Sequence, residues 1–382
     1  MGTSRHSDLA LVLSGGGARA AYQVGFLRFL ARRFPDVVPG ILTGVSAGGI
    51  NAAYLAARQE PFAEKVGNLV DLWANLRIGD VFRVDTRDLG SRVIRWGGRL
   101  VAGGRSPMRP AGSFVDTSPL RRLLERELQA TGGELTGIAR SVQDGWLRAI
   151  ALAASSYTTG QSVTWVQTAD CRMPMWERPQ RKSANCALRV DHVMATAALP
   201  FFFPAAAVDG AWYGDGGIRL AAPLSPAVHL GARRIVAIST RYGRSREEAE
   251  VPAMSGYPPP AQVAGVLLNA IFLDLLDGDA LHLHQINQLV ARLPEEERGG
   301  LRHIDLLVLR PSQDLGRLAN QFEPELPSTF RFLTRGLGTR ETRSNDLLSL
   351  VMFQSNYLRQ LIEMGEADAA ARVDDIRQFL EQ

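Results

Sequence analysis

The stretch ILTGVSAGGI, residues 41–50, sets Ser46 between Gly44 and Gly48. In this Gly-x-Ser-x-Gly spacing a serine hydroxyl can stand at the apex of a strand-to-helix turn, and glycines on either side remove side chains that would crowd the bend. A serine is a poor nucleophile until a neighbour takes its proton. Acyl transfer also needs hydrogen-bond donors for the tetrahedral oxygen. The Ala47 N–H is one candidate donor, and Gly16, Gly17 or Ala18 in the run SGGGARA, which also holds Gly15 and Arg19, can complete the set. The base has several candidates. His229, His282, His284 and His303 follow Ser46, so a Ser, acid, His order is open, yet none occupies a short loop after an obvious strand. Asp215, followed by Gly216 and Gly217, and Asp209 in VDGA are carboxylates in glycine turns that can take a serine proton directly. Asp-Gly is equally a hairpin-turn former, and residue chemistry alone leaves the two aspartates level.

The same residues require particular elements to hold them. LALVLSGGG reads as a buried strand entering a glycine turn, and ARAAYQVGFLRFLARRF as a helix that buries Ala21, Val24, Leu27 and Leu30. ILTGVSAGGINAAYLAAR repeats the design. Two successive strand-turn-helix units favour a parallel sheet with functional turns at the carboxyl ends of its strands. RAIALAASS, SVTWVQ, RIVAIST and HIDLLVLRPS supply further strands, and the last two are apolar on both sides, as strands covered by helices on both faces are. The fold class expected is α/β, a three-layer α/β/α sandwich with a mainly parallel central sheet. A catalytic core is expected over residues 8–240, with a basic insertion or cap at 77–112. A loop, helices and a further strand are expected over 241–320, and a helical region packed on the core over 321–382. RYGRSREEAEVPAMSGYPPPAQ reads as an exposed loop. The C-terminal sequence reads as two helices parted by a glycine turn after LIEMG.

Composition narrows the function classes. The 382 residues carry a net charge of +4, 46% hydrophobic residues and 21% charged residues, which is ordinary globular chemistry. Between Arg77 and Arg109 eight arginines stand against three aspartates. This bias suits a solvated face or contact with an anionic surface, while no zinc finger, helix-turn-helix or aromatic platform points to nucleic acid. Cys171 and Cys186 form no metal motif and no redox pair, and read as thiols without catalytic duty. The amino terminus lacks a secretory pattern, and VAGVLLNAIFLDLLDG falls short of a membrane span, so a cytoplasmic or peripheral protein is expected. GGGARA satisfies the loose dinucleotide pattern Gly-x-Gly-x-x-Gly/Ala. The strand that should then end in a ribose-binding acid ends instead in Ser46. A nicotinamide or flavin oxidoreductase is therefore the minor alternative.

Taken jointly, SGGGARAAYQVG, GVSAGG, ATAALPFFFP and WYGDGGIRLAAPLSPAVHLGARRIVAI resemble, in this order, the motifs of the patatin-like phospholipases. The resemblance covers most of residues 8–240 and grows diffuse beyond. It implies a Ser46–Asp215 dyad, a glycine-loop oxyanion hole braced by Arg19, and no metal or other cofactor. It also implies hydrolysis of acyl esters in phospholipids, lysophospholipids or related lipids. Ala20 departs from the family's pattern, standing where many members have a glycine. LPFFFPAAAV is a candidate acyl-pocket lining, and the arginine-rich segment is a candidate contact for an anionic membrane. The same fold used for lipid binding or acyl transfer is the alternative reading.

Overall fold

The computed structural model describes residues 8–83, 115–169, 175–200, 202–251, 256–272, 275–328, 330–331 and 345–381. The basic segment read at 77–112 lies outside them from residue 84 onward, as do Cys171 and Phe201.

The first two strand-turn-helix units form as the apolar runs require. β1 (Leu9–Leu13) leads through a 3-10 turn (Gly17–Ala20) into α1 (Ala21–Arg33). β2 (Ile41–Val45) runs directly into α2 (Ser46–Ala57), followed by α3 (Phe62–Asn75). The remaining strands are β3 (Ala149–Ser156), β4 (Ser162–Thr168), β5 (Glu177–Arg178), β6 (Arg181–Asn185), β7 (Ala206–Val208), β8 (Ala211–Asp215), β9 (Arg234–Ile238) and β10 (Asp305–Leu309). They join in one sheet of order β10-β9-β1-β2-β3-β4-β6-β5. From β10 to β3 every pairing is parallel. β4 then adds antiparallel to β3, and the β7–β8 hairpin joins the carboxyl end of β3.

Both faces of the sheet are covered, so β1 is apolar at every position. Leu9, Leu11 and Leu13 face a core shared with α1, α2 and the helix Ser355–Ala371, while Ala10 and Val12 face a second core with the helices Ser225–His229 and Leu275–Val290. Each leucine buried in this way contributes about 2 kcal/mol. Helix, sheet and helix make the α/β sandwich expected of the sequence.

Two local readings change. Within the stretch read as an exposed loop, Arg246–Glu250 is a short helix. Ser245 caps it, accepting from Glu248 N–H at 3.2 Å while Glu248 accepts from Ser245 N–H at 2.9 Å. The C-terminal part is not two helices split after Gly365. It forms the helices Asp346–Val351, Ser355–Ala371 and Val373–Glu381, with Gly365 inside the second. Gly365 is a crossing point rather than a turn. A Cβ on it would lie 2.1 Å from the Tyr22 carbonyl oxygen, and one on Gly25 of α1 would lie 1.9 Å from that of Ile362. The two helices touch backbone to backbone at reciprocal glycines.

Gly365→Ala separates the two roles of that glycine. Helix propensity alone favours alanine by about 1 kcal/mol. The clash is with backbone, which cannot swing aside, and overpacking of this kind costs about 1–3 kcal/mol. Thermal or denaturant unfolding is expected to show a net loss of stability; a gain would mean that the helices separate freely.

Candidate active site

The register of the sheet brings Ser46 and Asp215 together. β2 pairs with β3 as far as Val45 opposite Ala153. The next residue of β3, Ala154, pairs with Asp215, where the antiparallel β8 ends. The other flank of β3 is occupied by β4 from Ala149 to Ser155. β2 and β8 therefore share one flank and approach end to end from opposite directions. Ser46 is the first residue beyond β2, and Asp215 is the last of β8.

Ser46 holds φ at 55°, a left-handed conformation that strains any residue with a side chain. Gly44 and Gly48 make the bend sterically possible. A Cβ on Gly48 would stand 2.3 Å from the Ser14 carbonyl oxygen, and one on Gly44 would stand 2.6 Å from that of Gly48. The Ser46 N–H donates to Thr196 Oγ1 at 3.1 Å, and the Thr196 hydroxyl donates to the Ala153 carbonyl at 2.5 Å. Thr196 thus ties the serine turn to β3 at the junction.

Asp215 is completely buried. Its N–H donates to the Ala198 carbonyl at 2.8 Å, and its Oδ1 accepts from Gly217 N–H at 2.9 Å. Oδ2 is buried without a hydrogen bond of standard geometry. The Ser46 hydroxyl is its polar neighbour. Burial pushes the Asp215 carboxyl up to about 7, against the opposing pull of the Ser46 hydroxyl and the Gly217 N–H. Hydrogen bonds at such sites are often poorly aligned before substrate binds. The other aspartate is far less enclosed. Asp209 and Gly210, both at positive φ, make the turn between β7 and β8, and Asp209 pairs with Arg189 at 2.5 Å in a largely exposed ion pair. There Asp-Gly is the hairpin former.

Ala47 lies in the first turn of α2, and Gly17, Ala18 and Arg19 in the first turn before α1. Opening amides of helical turns lack partners within the helix and point toward negative charge. Gly17 lies at φ 54° with its Cα against the Leu350 carbonyl, where a Cβ would stand only 2.1 Å from the oxygen. Behind this loop the Thr240 hydroxyl donates to the Gly15 carbonyl at 2.6 Å. Gln23 Nε2 donates to the Ser14 carbonyl at 2.8 Å, Asn51 Nδ2 to Gln23 Oε1 at 3.1 Å, and Trp73 Nε1 to Asn51 Oδ1 at 2.8 Å. Ala20 sits at φ −65°, where an alanine fits without strain. Arg19 is buried and ion-paired with Asp346 at 2.6 Å, rather than spread on the surface.

One apolar pocket opens onto these groups. Gly16, Gly17, Ser46 and Ala47 form its polar end, and Tyr54, Leu72, Trp73, Leu124, Phe203 and Phe353 are among its walls. Among the described residues that line it, Glu127 is the charged one and none is a histidine. His229 instead stacks on Trp176 at 4.6 Å, His284 contacts Gln288, and His303 pairs with Asp305 at 3.0 Å. Of LPFFFPAAAV, Leu199 and Phe203 line the pocket, while Phe202 packs edge-on to Phe82 at 5.3 Å.

Several residues here escape the sequence reading. Thr196 lies within ATAALP, where small size is the visible signal and no local spacing marks the hydroxyl. Thr240, Gln23, Asn51 and Trp73 are distant in sequence and meet through packing alone, so no local spacing announces them.

A family model described as patatin-like phospholipase matches residues 11–228, more than half of the chain. No curated protein matches the chain. Among solved structures the chain is similar to human GIVD cytosolic phospholipase A2 in complex with methyl gamma-linolenyl fluorophosphonate, at 13% identity and a TM-score of 0.46, over 100% of this chain and 60% of that one. It is also similar to VipD from Legionella pneumophila, at 12% identity and a TM-score of 0.34, over 94% of this chain and 67% of that one. ExoU, in its complex with SpcU from the type III secretion system of Pseudomonas aeruginosa, aligns at 15% identity and a TM-score of 0.26, over 98% of this chain and 52% of that one. The chain thus spans only about 60% of the length of the human enzyme. On the match over residues 11–228, the chain belongs to the patatin-like phospholipase family.

Proposed function

We propose that the protein is a metal-independent lipid acyl hydrolase of phospholipase A or lysophospholipase type, with Ser46 as nucleophile and Asp215 as its general base. The observation that carries this reading is the buried Asp215 carboxyl beside a strained serine at the polar end of an apolar pocket. Asp215 accepts the hydroxyl proton as Ser46 Oγ attacks the ester carbonyl, and the carbonyl oxygen becomes an oxyanion facing the Ala47 amide and those of Gly16, Gly17 or Ala18. Collapse expels the alcohol or lysolipid, which takes the proton back from Asp215. Water then attacks the acyl-enzyme, Asp215 takes a proton from it, and Ser46 leaves with that proton as fatty acid departs. The pocket walls would hold the acyl chain. An acyltransferase would share every step but the last, and a lipid-binding protein would use the pocket alone. No described helix is long and apolar enough to cross a membrane. Contact with an anionic membrane through the basic segment belongs to the same proposal.

Fatty-acid release from phospholipid and lysophospholipid micelles tests this reading. Ser46→Ala and Asp215→Asn, matched for folding, are expected to lose about 10³-fold or more in turnover. Retained turnover in Asp215→Asn would remove the dyad. Lipid bound tightly without release by the native protein would favour the binding role, and acyl transfer to an added alcohol in preference to water would favour the transferase.

A base is active when unprotonated, so kcat/KM is expected to fall about tenfold per unit as pH drops below about 7 and to level off above it. A profile flat down to pH 5 would sink the assignment of Asp215 as base. Stability carries the same signature. The folded-state pKa is raised from 3.8 to about 7, so the native protein loses stability as pH climbs from about 4 to about 7 and is level above. The Tm advantage of Asp215→Asn should therefore grow across that window and then stay constant. An advantage independent of pH would show that the buried carboxyl is not the source.

A further inference from the structure

The helix Asp346–Val351 lies beyond the residues matched by the family model, yet it grips the glycine loop at three places. Asp346 Oδ1 accepts from Arg19 Nη2 at 2.6 Å, and Arg19 Nη2 also reaches the Asp346 carbonyl at 3.3 Å. Ser349 Oγ accepts from Arg19 Nε at 2.7 Å while its own proton goes to the Asp346 carbonyl, also at 2.7 Å. The Leu350 carbonyl lies directly against Gly17. The helix is itself anchored. Asn345 Oδ1 accepts from Leu348 N–H at 3.0 Å, capping its start, and Asn269 Nδ2 donates to Asp346 Oδ2 at 2.5 Å. Leu350 and Val351 then line the apolar pocket beside Gly16, Gly17, Ser46 and Ala47.

We infer that Asp346 and Ser349 are positioning residues for the oxyanion loop, acting through Arg19 to hold the Gly16–Ala18 amides at the distance a tetrahedral oxygen requires. The inference rests on the hydrolase reading above for its catalytic consequence. Glycines give the loop many conformations, and a donor gains its full effect only when already in place before charge develops. A guanidinium gripped at Nε by one residue and at Nη2 by another has its plane fixed, which an ammonium on a flexible stem does not reproduce. Arg19 joins the third residue of the glycine turn to a helix more than 300 residues later, so the amides and one wall of the pocket move as a unit.

The test uses the full chain, with p-nitrophenyl butyrate as a soluble ester and amide hydrogen exchange as a readout independent of turnover. In Asp346→Asn, which keeps an acceptor but removes the charge, kcat is expected to fall about 10- to 100-fold with KM within about twofold, the pattern of a lost transition-state interaction. Ser349→Ala should give a smaller loss of the same kind, and it decides the matter alone if Asp346→Asn fails to fold. Arg19→Lys should rescue the charge but not the loop order. In each variant exchange at Gly16–Ala20 should accelerate while β1 and β2 keep their protection. Native kcat and native loop exchange in both Asp346→Asn and Ser349→Ala would overturn the inference. So would a uniform rise in exchange across the chain, which marks a general structural anchor. If the native protein turns over no ester, the hydrolase reading fails and the loop exchange still decides whether the clamp exists.

Discussion

Two strands of opposite direction end against each other on one flank of β3, and this single register sets the positions of everything else in the site. Val45 pairs with Ala153 and Asp215 with Ala154, so a shift of one residue in either strand would pull the serine and the carboxylate apart or overlap them. Because side chains alternate faces along a strand and both faces are covered, such a slip would also exchange the residues of β2 between the two cores, Leu42 from one and Ile41 from the other. The hydrophobic pattern of the sheet and the geometry of the site are therefore held by the same hydrogen bonds. Thr196 and Ala198 reinforce the junction, the first by bonding the Ser46 amide and the β3 carbonyl, the second by accepting the Asp215 amide.

Energy is stored at this junction in two forms. Ser46 in the left-handed region costs on the order of 1–3 kcal/mol. Burying Asp215 raises its pKa, so the ionised form that can act as a base is the form the site disfavours. Both costs are borne by dense packing around them. Gly48 rests against the Ser14 carbonyl and Gly216 against that of Ala153, where an added Cβ would stand 2.2 Å from the oxygen. A carboxyl with a pKa near neutrality is well matched to proton transfer at physiological pH, since an appreciable fraction is ionised and the ionised form is a stronger base than an ordinary carboxylate.

The C-terminal region completes this arrangement from outside the matched family segment. The helix Ser355–Ala371 crosses α1 at reciprocal glycines, and the short helix before it carries the acceptors for Arg19. α1 starts where the glycine turn ends, so the two contacts hold successive parts of one stretch of chain. Long helices laid over a sheet are ordinary α/β packing. Here the backbone-to-backbone approach at Gly25 and Gly365 also fixes how closely the two helices lie.

Much of the fold is visible in local sequence because its period is local. Apolar runs announce β1, β2, β9 and β10, the first two followed by small-residue turns, and Gly44, Ser46 and Gly48 announce a turn that only glycines can flank. Asp215 against Asp209 could not be separated by residue chemistry, since each is an aspartate before a glycine; the motif resemblance favoured Asp215. The structure distinguishes their settings through pairing: one aspartate lies at the tip of the β7–β8 hairpin, and the other lies at the foot of that hairpin beside β3. Gly365 looked like a turn because nothing in its neighbourhood shows the helix it crosses. Arg19 could be read as a brace, but its partners Asp346 and Ser349 are joined to it only by the folded chain. Local sequence specifies most of the strands and helices and the residue types that can react, because those follow from propensity and spacing within a few residues. Tertiary structure alone decided which groups meet, which carboxyl loses its water and which loop is held, because each depends on contacts between residues tens to hundreds of positions apart.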